Sequence, residues 1–367
     1  MKNQQPSSLM YISLMYISLF TAVIITSCVK ESDDKPTNGI ITRAKGIYVL
    51  NEGLYGMNNT TLTYFDVDQN ATYSNFFRTQ NNRDMGDTGT DIAIYGGKMY
   101  AVVSNSSQVE VMNAHTGKSI RQIPLFNGQT PRNPRFITFF GSKAWVCSFD
   151  GTAAVIDTTS LQVERIIQAG RNPDGITAAN GKIYVANSGG LDFPNFDNTV
   201  SVIDPATQIE TIKIQTGLNP YTLQGDAYGD LYVISRGNYF DLPSRLQIIN
   251  TLTNTLKHTF DGFEAMNLTI SGDTAYVYHY DYMTGESKIL VLNVKTEQVL
   301  TENFISDGTS IETIYGIAVD AKTGDVYIAD ARGFVNTGKV FCYSNKGVRK
   351  FSFETGLNPN RIVFVRE

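Results

Sequence analysis

Lys182-Ile-Tyr184-Val-Ala186-Asn187 is a short apolar strand centred on an aromatic ring, preceded by Gly170-Arg-Asn-Pro173 and followed by Val200-Ser-Val-Ile-Asp204. The same aromatic-centred strand recurs upstream as Gly46-Ile-Tyr48-Val-Leu50, Lys98-Met-Tyr100-Ala-Val102 and Lys143-Ala-Trp145-Val-Cys147. Downstream it returns as Asp230-Leu-Tyr232-Val-Ile234, Thr274-Ala-Tyr276-Val-Tyr278 and Asp325-Val-Tyr327-Ile-Ala329. Seven copies at a spacing of about 46 residues match the size of a four-stranded propeller blade. The period predicts an all-β chain folded as a seven-bladed β-propeller of four-stranded blades.

Each copy is followed by a second alternating strand with Asp, Asn or Ser at its exit, over residues 62–66, 109–113, 153–157, 200–204, 246–250, 289–293 and 340–344. Such an exit suits a tight hairpin, because a short polar side chain can cap the turn. A third strand follows, as at 163–167 and 209–214. A fourth then leads into a Gly-containing turn at 92–96, 136–141, 176–181, 222–229, 268–272 and 317–324. That gives six inner strands. The seventh is Arg361-Ile-Val-Phe-Val365, so the propeller begins in mid-blade near Ile47 and its C-terminal strand joins the first blade. Closure of this kind leaves no open sheet edge. The register is marked by Gly170-Arg-Asn-Pro173, Gly217-Leu-Asn-Pro220, Gly356-Leu-Asn-Pro359 and Arg132-Asn-Pro134. Proline has no N–H for the ladder and sits at or just before a strand start.

Ahead of the repeats, residues 9–27 are an apolar run that ends in Ile25-Thr26-Ser27-Cys28 and gives way to Lys30, Glu31, Asp33 and Asp34. Small residues before a Cys and a polar stretch after it point to a signal peptide over 1–27. Ile-Thr-Ser-Cys resembles a bacterial lipobox, which implies lipidation of Cys28. The acidic stretch after it resembles the export signal of Bacteroidetes surface lipoproteins. Residues 28–43 then read as the lipidated Cys and a polar tether, and 44–367 as the propeller. The expected location is the outer membrane, lipid-anchored and facing outward.

The formal net charge is -5 and there is no clustered basic run, which argues against nucleic acid as a partner. With three cysteines there is no disulfide framework, and Cys147 and Cys342 read as buried free thiols in apolar strands. The three histidines, His115, His258 and His279, are too scattered for a metal cluster. Asp66-Val-Asp68-Gln-Asn70 imitates the start of an EF-hand, but Ala71 and Phe77 replace its Gly and Glu, so it reads as a hairpin turn. No nucleophile elbow or phosphate loop occurs. No metal and no catalytic cofactor are expected. Acids near the tunnel mouth, Asp87, Asp91, Asp174, Glu264 and Glu312, leave open a metal-dependent propeller enzyme of lactonase or lyase type.

In an up-and-down blade, loops leading into the inner strand share one face with loops that follow the aromatic-centred strand. The opposite face receives only short polar turns. The first face receives long loops at 51–60, 187–198, 235–244, 279–287 and 330–337. They carry Tyr55, Phe193, Phe196, Tyr239, Phe240, Tyr280, Tyr282 and Phe334, joined by Phe149 from a shorter loop. Arg132, Tyr221 and Tyr315, beside inner-strand starts, complete the candidate ligand-binding set. Aromatics among Asn, Ser, Gly and Asp favour a large, flat, partly apolar ligand rich in hydrogen-bonding groups. A glycan or a protein loop would also suit such a face.

The Gly-x-Asn-Pro segments, the strand ending in Ala186-Asn187 and the Val-Ile-Asp-Pro strand resemble the YncE-like seven-bladed propellers over residues 46–367. Together with the lipobox, the chain is similar to the Bacteroidetes surface propellers of that group. The resemblance implies a lipoprotein that binds cobalamin, or another large amide-rich molecule, and hands it to a TonB-dependent outer-membrane transporter of the BtuB type.

Overall fold

The structure, a computed structural model, describes residues 43–366. The expected signal peptide, Cys28 and all of the expected tether but Arg43 lie outside the described residues. Seven four-stranded antiparallel sheets follow one another around a ring. Taking the strands of each blade as A to D from the tunnel outward, blades two to five have their A strands at Gly89–Tyr95, Pro134–Phe140, Pro173–Ala179 and Pro220–Gly225. Those of blades six and seven are Asn267–Ser271 and Ile314–Val319. Blade one is assembled from both ends of the repeat region: Pro359–Val365 is its A strand and pairs antiparallel with Gly46–Asn51. The C-terminal closure expected from the sequence is present.

The aromatic-centred strands are the B strands, and burial explains their composition. Tyr48, Tyr100, Trp145, Tyr184 and Tyr232 are all under 2 % exposed. Each ring packs between neighbouring sheets, which is where a large apolar surface leaves water most completely. Trp145, Cys147 and Val155 of blade three, for example, meet Ile176, Ile183 and Val185 of blade four. Cys147 and Cys342 are buried free thiols. Burial pushes the Cys342 thiol up to about 12, which keeps it protonated and inert.

The Asp and Asn residues at C-strand exits cap their turns. Asp204 accepts from the backbone N–H of Ala206 at 2.9 Å and Thr207 at 3.0 Å. Asp66 does the same with Asp68 at 3.0 Å and Gln69 at 2.8 Å, so the EF-hand-like stretch is a hairpin turn.

The Asn-Pro motif has a backbone cause. Asn133, Asn172, Asn219 and Asn358 all adopt left-handed φ values of 53°, 41°, 60° and 56°. Asn tolerates that region better than other L-residues with a full side chain. The reversal presents each Asn carbonyl to the first residue beyond the B strand of the same blade. The N–H groups of Phe149, Ser188, Arg236 and Glu52 donate to them at 3.0, 3.2, 2.8 and 2.9 Å. Four blades thus place one post-B residue at the same spot on the rim.

Six of the seven A strands begin two or three residues earlier than the hydrophobic pattern indicates and have bulged first residues; that of blade six begins one residue earlier, at Asn267, and pairs without a slip. Pairing slips at Gly89/Asp91, Pro134/Ile137, Pro173/Gly175, Pro220/Thr222 and Ile314/Gly316, and between Arg361 and Pro359 opposite Leu50 and Asn51. A bulge inserts an unpaired residue and re-aims its side chain. Here the extra residues are Thr90, Arg135 with Phe136, Asp174, Tyr221, Tyr315 and Asn360.

Candidate functional site

The long-loop face holds two adjoining hollows. The first, of about 250 Å³, lies at the tunnel mouth and is lined by bulge residues from five blades, Thr90, Arg135, Tyr221, Tyr315 and Asn360. Phe136, Asn267, Tyr278 and Arg361 extend that wall, and the post-B residues Glu52 and Arg236 complete it. The second is a groove of about 770 Å³ between the loops of blades five and six, lined among others by Tyr239, Phe240, Leu242, His279, Tyr280 and Met283. Arg236, Met266 and Tyr282 belong to both, so the two hollows share a wall.

Around the mouth, neighbouring blades are tied by side chains. Asn360 donates to the Gly89 carbonyl at 2.8 Å, and the Thr90 hydroxyl to the Arg135 carbonyl at 2.6 Å. Arg135 Nε donates to Asp174 Oδ1 at 2.8 Å. Tyr278 Oη donates to the Tyr315 carbonyl at 2.9 Å, and Tyr315 Oη to Glu52 at 2.5 Å. Burial raises the Tyr315 hydroxyl well above its ordinary range, and the Glu52 carboxylate adds to the rise, so Tyr315 remains a donor. Between blades four and five the contact is a close approach. A Cβ on Gly175 would stand 2.3 Å from the Tyr221 carbonyl oxygen, so only glycine fits there.

Three arginines face the mouth. Arg135 is paired with Asp174 and lies 4.4 Å over the Phe149 ring. Arg361 Nε is 3.1 Å from Asp91, and its guanidinium lies 4.8 Å from the Phe136 centroid. Burial pushes the Asp91 carboxyl up, against the opposing pull of Arg361 and two backbone N–H groups. Arg236 stacks on Tyr221 at 3.3 Å and forms no hydrogen-bonded ion pair with a carboxylate among the described residues, although Asp174 acts on it through space.

The pattern of a family described as a domain of unknown function, DUF5074, matches residues 45–364. The chain belongs to the DUF5074 family. No curated protein matches it. Among solved structures, the DUF5074 propeller is similar to a quinonprotein alcohol dehydrogenase-like protein from Bacteroides thetaiotaomicron. The two share 17 % identity at a TM-score of 0.63, over 88 % of this chain and 78 % of that one. It is also similar to hydrazine synthase of Kuenenia stuttgartiensis, at 16 % identity and TM-score 0.61, over 74 % of this chain and 88 % of the other. A third likeness is to the computationally designed Ika8 protein, at 14 % identity and TM-score 0.56, over 85 % and 88 %. At such identities the likeness is one of fold alone.

The structure brings most of the sequence-derived candidates into two aromatic clusters. Phe193 contacts Phe196 at 5.7 Å and Phe240 at 5.9 Å, while Phe196 contacts Tyr239 at 5.7 Å, which bridges the loops of blades four and five. Phe196 is 8 % exposed and serves as the base of that cluster. Tyr280, Tyr282, Phe334 and Tyr315 form the other, across blades six and seven, with Tyr315 5.3 Å from Phe334. Tyr221 and Tyr315 line the mouth. Phe149 lies beneath Arg135. Arg132 is engaged by Asp150, outside both hollows, and Tyr55 stands apart on its loop at 81 % exposure.

Arg135, Arg236, Arg361, Glu52, Asn267 and Asn360 line the mouth and are not in that set. Their common signal was available, because each lies at a strand start or immediately after a B strand, at equivalent positions of the repeat. Of the five acids, Asp91 and Asp174 are tied to arginines, Glu264 lines the groove, Glu312 is exposed, and Asp87 accepts from Gly56, Thr88 and Asn105. Among the described residues, no three His, Cys, Asp or Glu side chains converge as a metal site. His279 lines the groove, with a buried Nδ1 that has no partner among the described residues.

Proposed function

We propose that this DUF5074 propeller is a ligand-capture protein that takes a large, partly apolar molecule on its long-loop face. The observation that carries the reading is the concentration of exposed apolar side chains around one groove. Tyr239 is 60 % exposed, Phe240 79 %, Tyr282 63 % and Met283 93 %, with Phe193 at 57 % beside them. Isolated exposed rings are common on protein surfaces, but a contiguous apolar patch around a concave site marks binding. Polar groups at the groove end fix orientation.

Cobalamin is the specific candidate. It is a broad macrocycle edged with amides, suited to stacked rings and to the Asn, Ser and Asp of these loops. The wider reading is of a lipoprotein anchored through Cys28 at the outer membrane, facing outward, which passes its cargo to a TonB-dependent transporter. Isothermal titration of the purified protein with cyanocobalamin tests the ligand. Saturable heat with a rise in melting temperature is expected, and the absence of both would overturn the cobalamin assignment. Co-purification with a TonB-dependent transporter from membranes tests the hand-off.

A further inference from the structure

The charged groups that line the tunnel mouth are three guanidinia, of Arg135, Arg236 and Arg361, and one carboxylate, of Glu52. Asp174 and Asp91, which neutralise Arg135 and Arg361, are not part of the lining. Glu52 is already held by Tyr315 Oη at 2.5 Å and Asn360 Nδ2 at 3.4 Å. Arg236 differs from the other two arginines. Its Nε is buried without an acceptor, and its side chain has no hydrogen bond or ion pair among the described residues. The Tyr221 ring satisfies the face of the guanidinium, not the N–H edge, where its five donors point. A partly buried cation with unanswered donors is costly, and a native structure that keeps one calls for an explanation.

We propose that the tunnel mouth is an anion subsite, and that the molecule captured on this face carries a carboxylate or phosphate group that seats against Arg236. Arg135 and Arg361 line the same mouth, each paired with a carboxylate that is not part of the lining. The shared wall explains the placement: a body lying in the groove against Tyr239, Phe240 and Tyr282 projects its substituent past Arg236 into the mouth. The guanidinium fork is matched in shape and charge to either oxyanion. This rests on the reading that the face captures a ligand, and does not require that ligand to be cobalamin.

The test titrates the full-length protein with 2-naphthoate, 2-naphthyl phosphate and the neutral 2-naphthamide. At least one anion is expected to bind about tenfold or more tighter than the amide, and the tighter of the two identifies the oxyanion. Added salt should weaken the anions and leave the amide unchanged. In Arg236→Met, which keeps the length of the stem, both anions are expected to fall to the level of the amide, with a melting temperature equal to or above that of the parent protein. Anions no tighter than the amide, or undiminished in Arg236→Met, overturn the subsite. If that variant does not fold, the salt and charge comparison on the parent protein decides alone. A parallel cyanocobalamin titration separates the two readings. Cobalamin binding without any preference for the naphthyl anions sinks only the anion subsite, whereas no heat from any of the four sinks ligand capture itself.

Discussion

The Arg236 guanidinium stacks 3.3 Å from the centroid of the Tyr221 ring, and the two residues come from the two rim positions of one blade. Tyr221 is the bulged residue of the A strand, and Arg236 is the first residue after the B strand. Every blade of this kind offers the same two positions. What distinguishes the blades is which side chains occupy them: Asn360 and Glu52 in blade one, Arg135 and Phe149 in blade three, Asp174 and Ser188 in blade four.

Changing Tyr239, Phe240 and Tyr282 together to Ala should abolish capture with little effect on folding. The three rings are more than half exposed, so each substitution is expected to shift stability by no more than about 0.5 kcal/mol. As binding anchors, stacked rings are each worth about 2 kcal/mol, so cyanocobalamin affinity should fall at least about 100-fold. Thermal melting measures the stability and titration calorimetry the affinity. An unchanged affinity would move the binding surface away from this groove.

Arg135 should be far more important to the fold. It is mostly buried, pairs with Asp174 at 2.8 Å and covers Phe149. Arg135→Met strands a buried carboxylate, which costs about 3 kcal/mol or more. The double variant Arg135→Met with Asp174→Asn should recover most of that loss. Chemical denaturation of the four proteins of the cycle checks it, and additive losses would show that the two residues are not coupled.

Asp204 predicts an acid limb in stability. Lys182 beside it and the Thr207 and Ala206 N–H groups hold its carboxyl down to about 2. An unfolded Asp titrates near 3.9. The folded state therefore gains from ionised Asp204 above about pH 4, and that gain is lost as pH falls from about 4 through 2. Asp307, held down to about 2 by the Arg349 and Thr309 N–H groups, acts in the same direction. Melting temperature should drop across this window, and more shallowly in Asp204→Asn, whose amide oxygen can still cap the turn. An identical slope in the variant would mean that other carboxylates dominate acid unfolding.

The blades were legible in the sequence because burial imposes a strict local code. Tyr48, Tyr100, Trp145, Tyr184 and Tyr232 each sit in an alternating apolar strand, and the Asp or Asn after it caps a turn through its own backbone. The closure by Pro359–Val365 followed from phase alone. The rim was less legible. Bulge residues break the alternation from which strands are read, so Thr90, Arg135 and Asp174 looked like loop residues before the strand began. Arg236 could be found only by aligning the repeats against one another and asking which residue follows each B strand. The aromatic loops were conspicuous by type, but their partners were not: nothing local joins Phe193 to Phe240 or Tyr282 to Phe334, since those contacts depend on how far each loop leans across its neighbour.

The strand that closes the ring also carries Asn360 and Arg361 into the tunnel mouth, opposite Glu52 from the first B strand, a sequence separation of 308 residues for the Asn360–Glu52 contact. A molecule seated there is held by both ends of the propeller at once. It would act as a clasp on the ring, adding to the Velcro of the closing sheet a stabilisation that grows with the logarithm of its concentration above Kd. Loaded protein should then resist opening at the blade-one seam more than the empty ring, which is held there by its strand pairing, the Asn358 and Asn360 side chains and the packing of Ile362 and Val365.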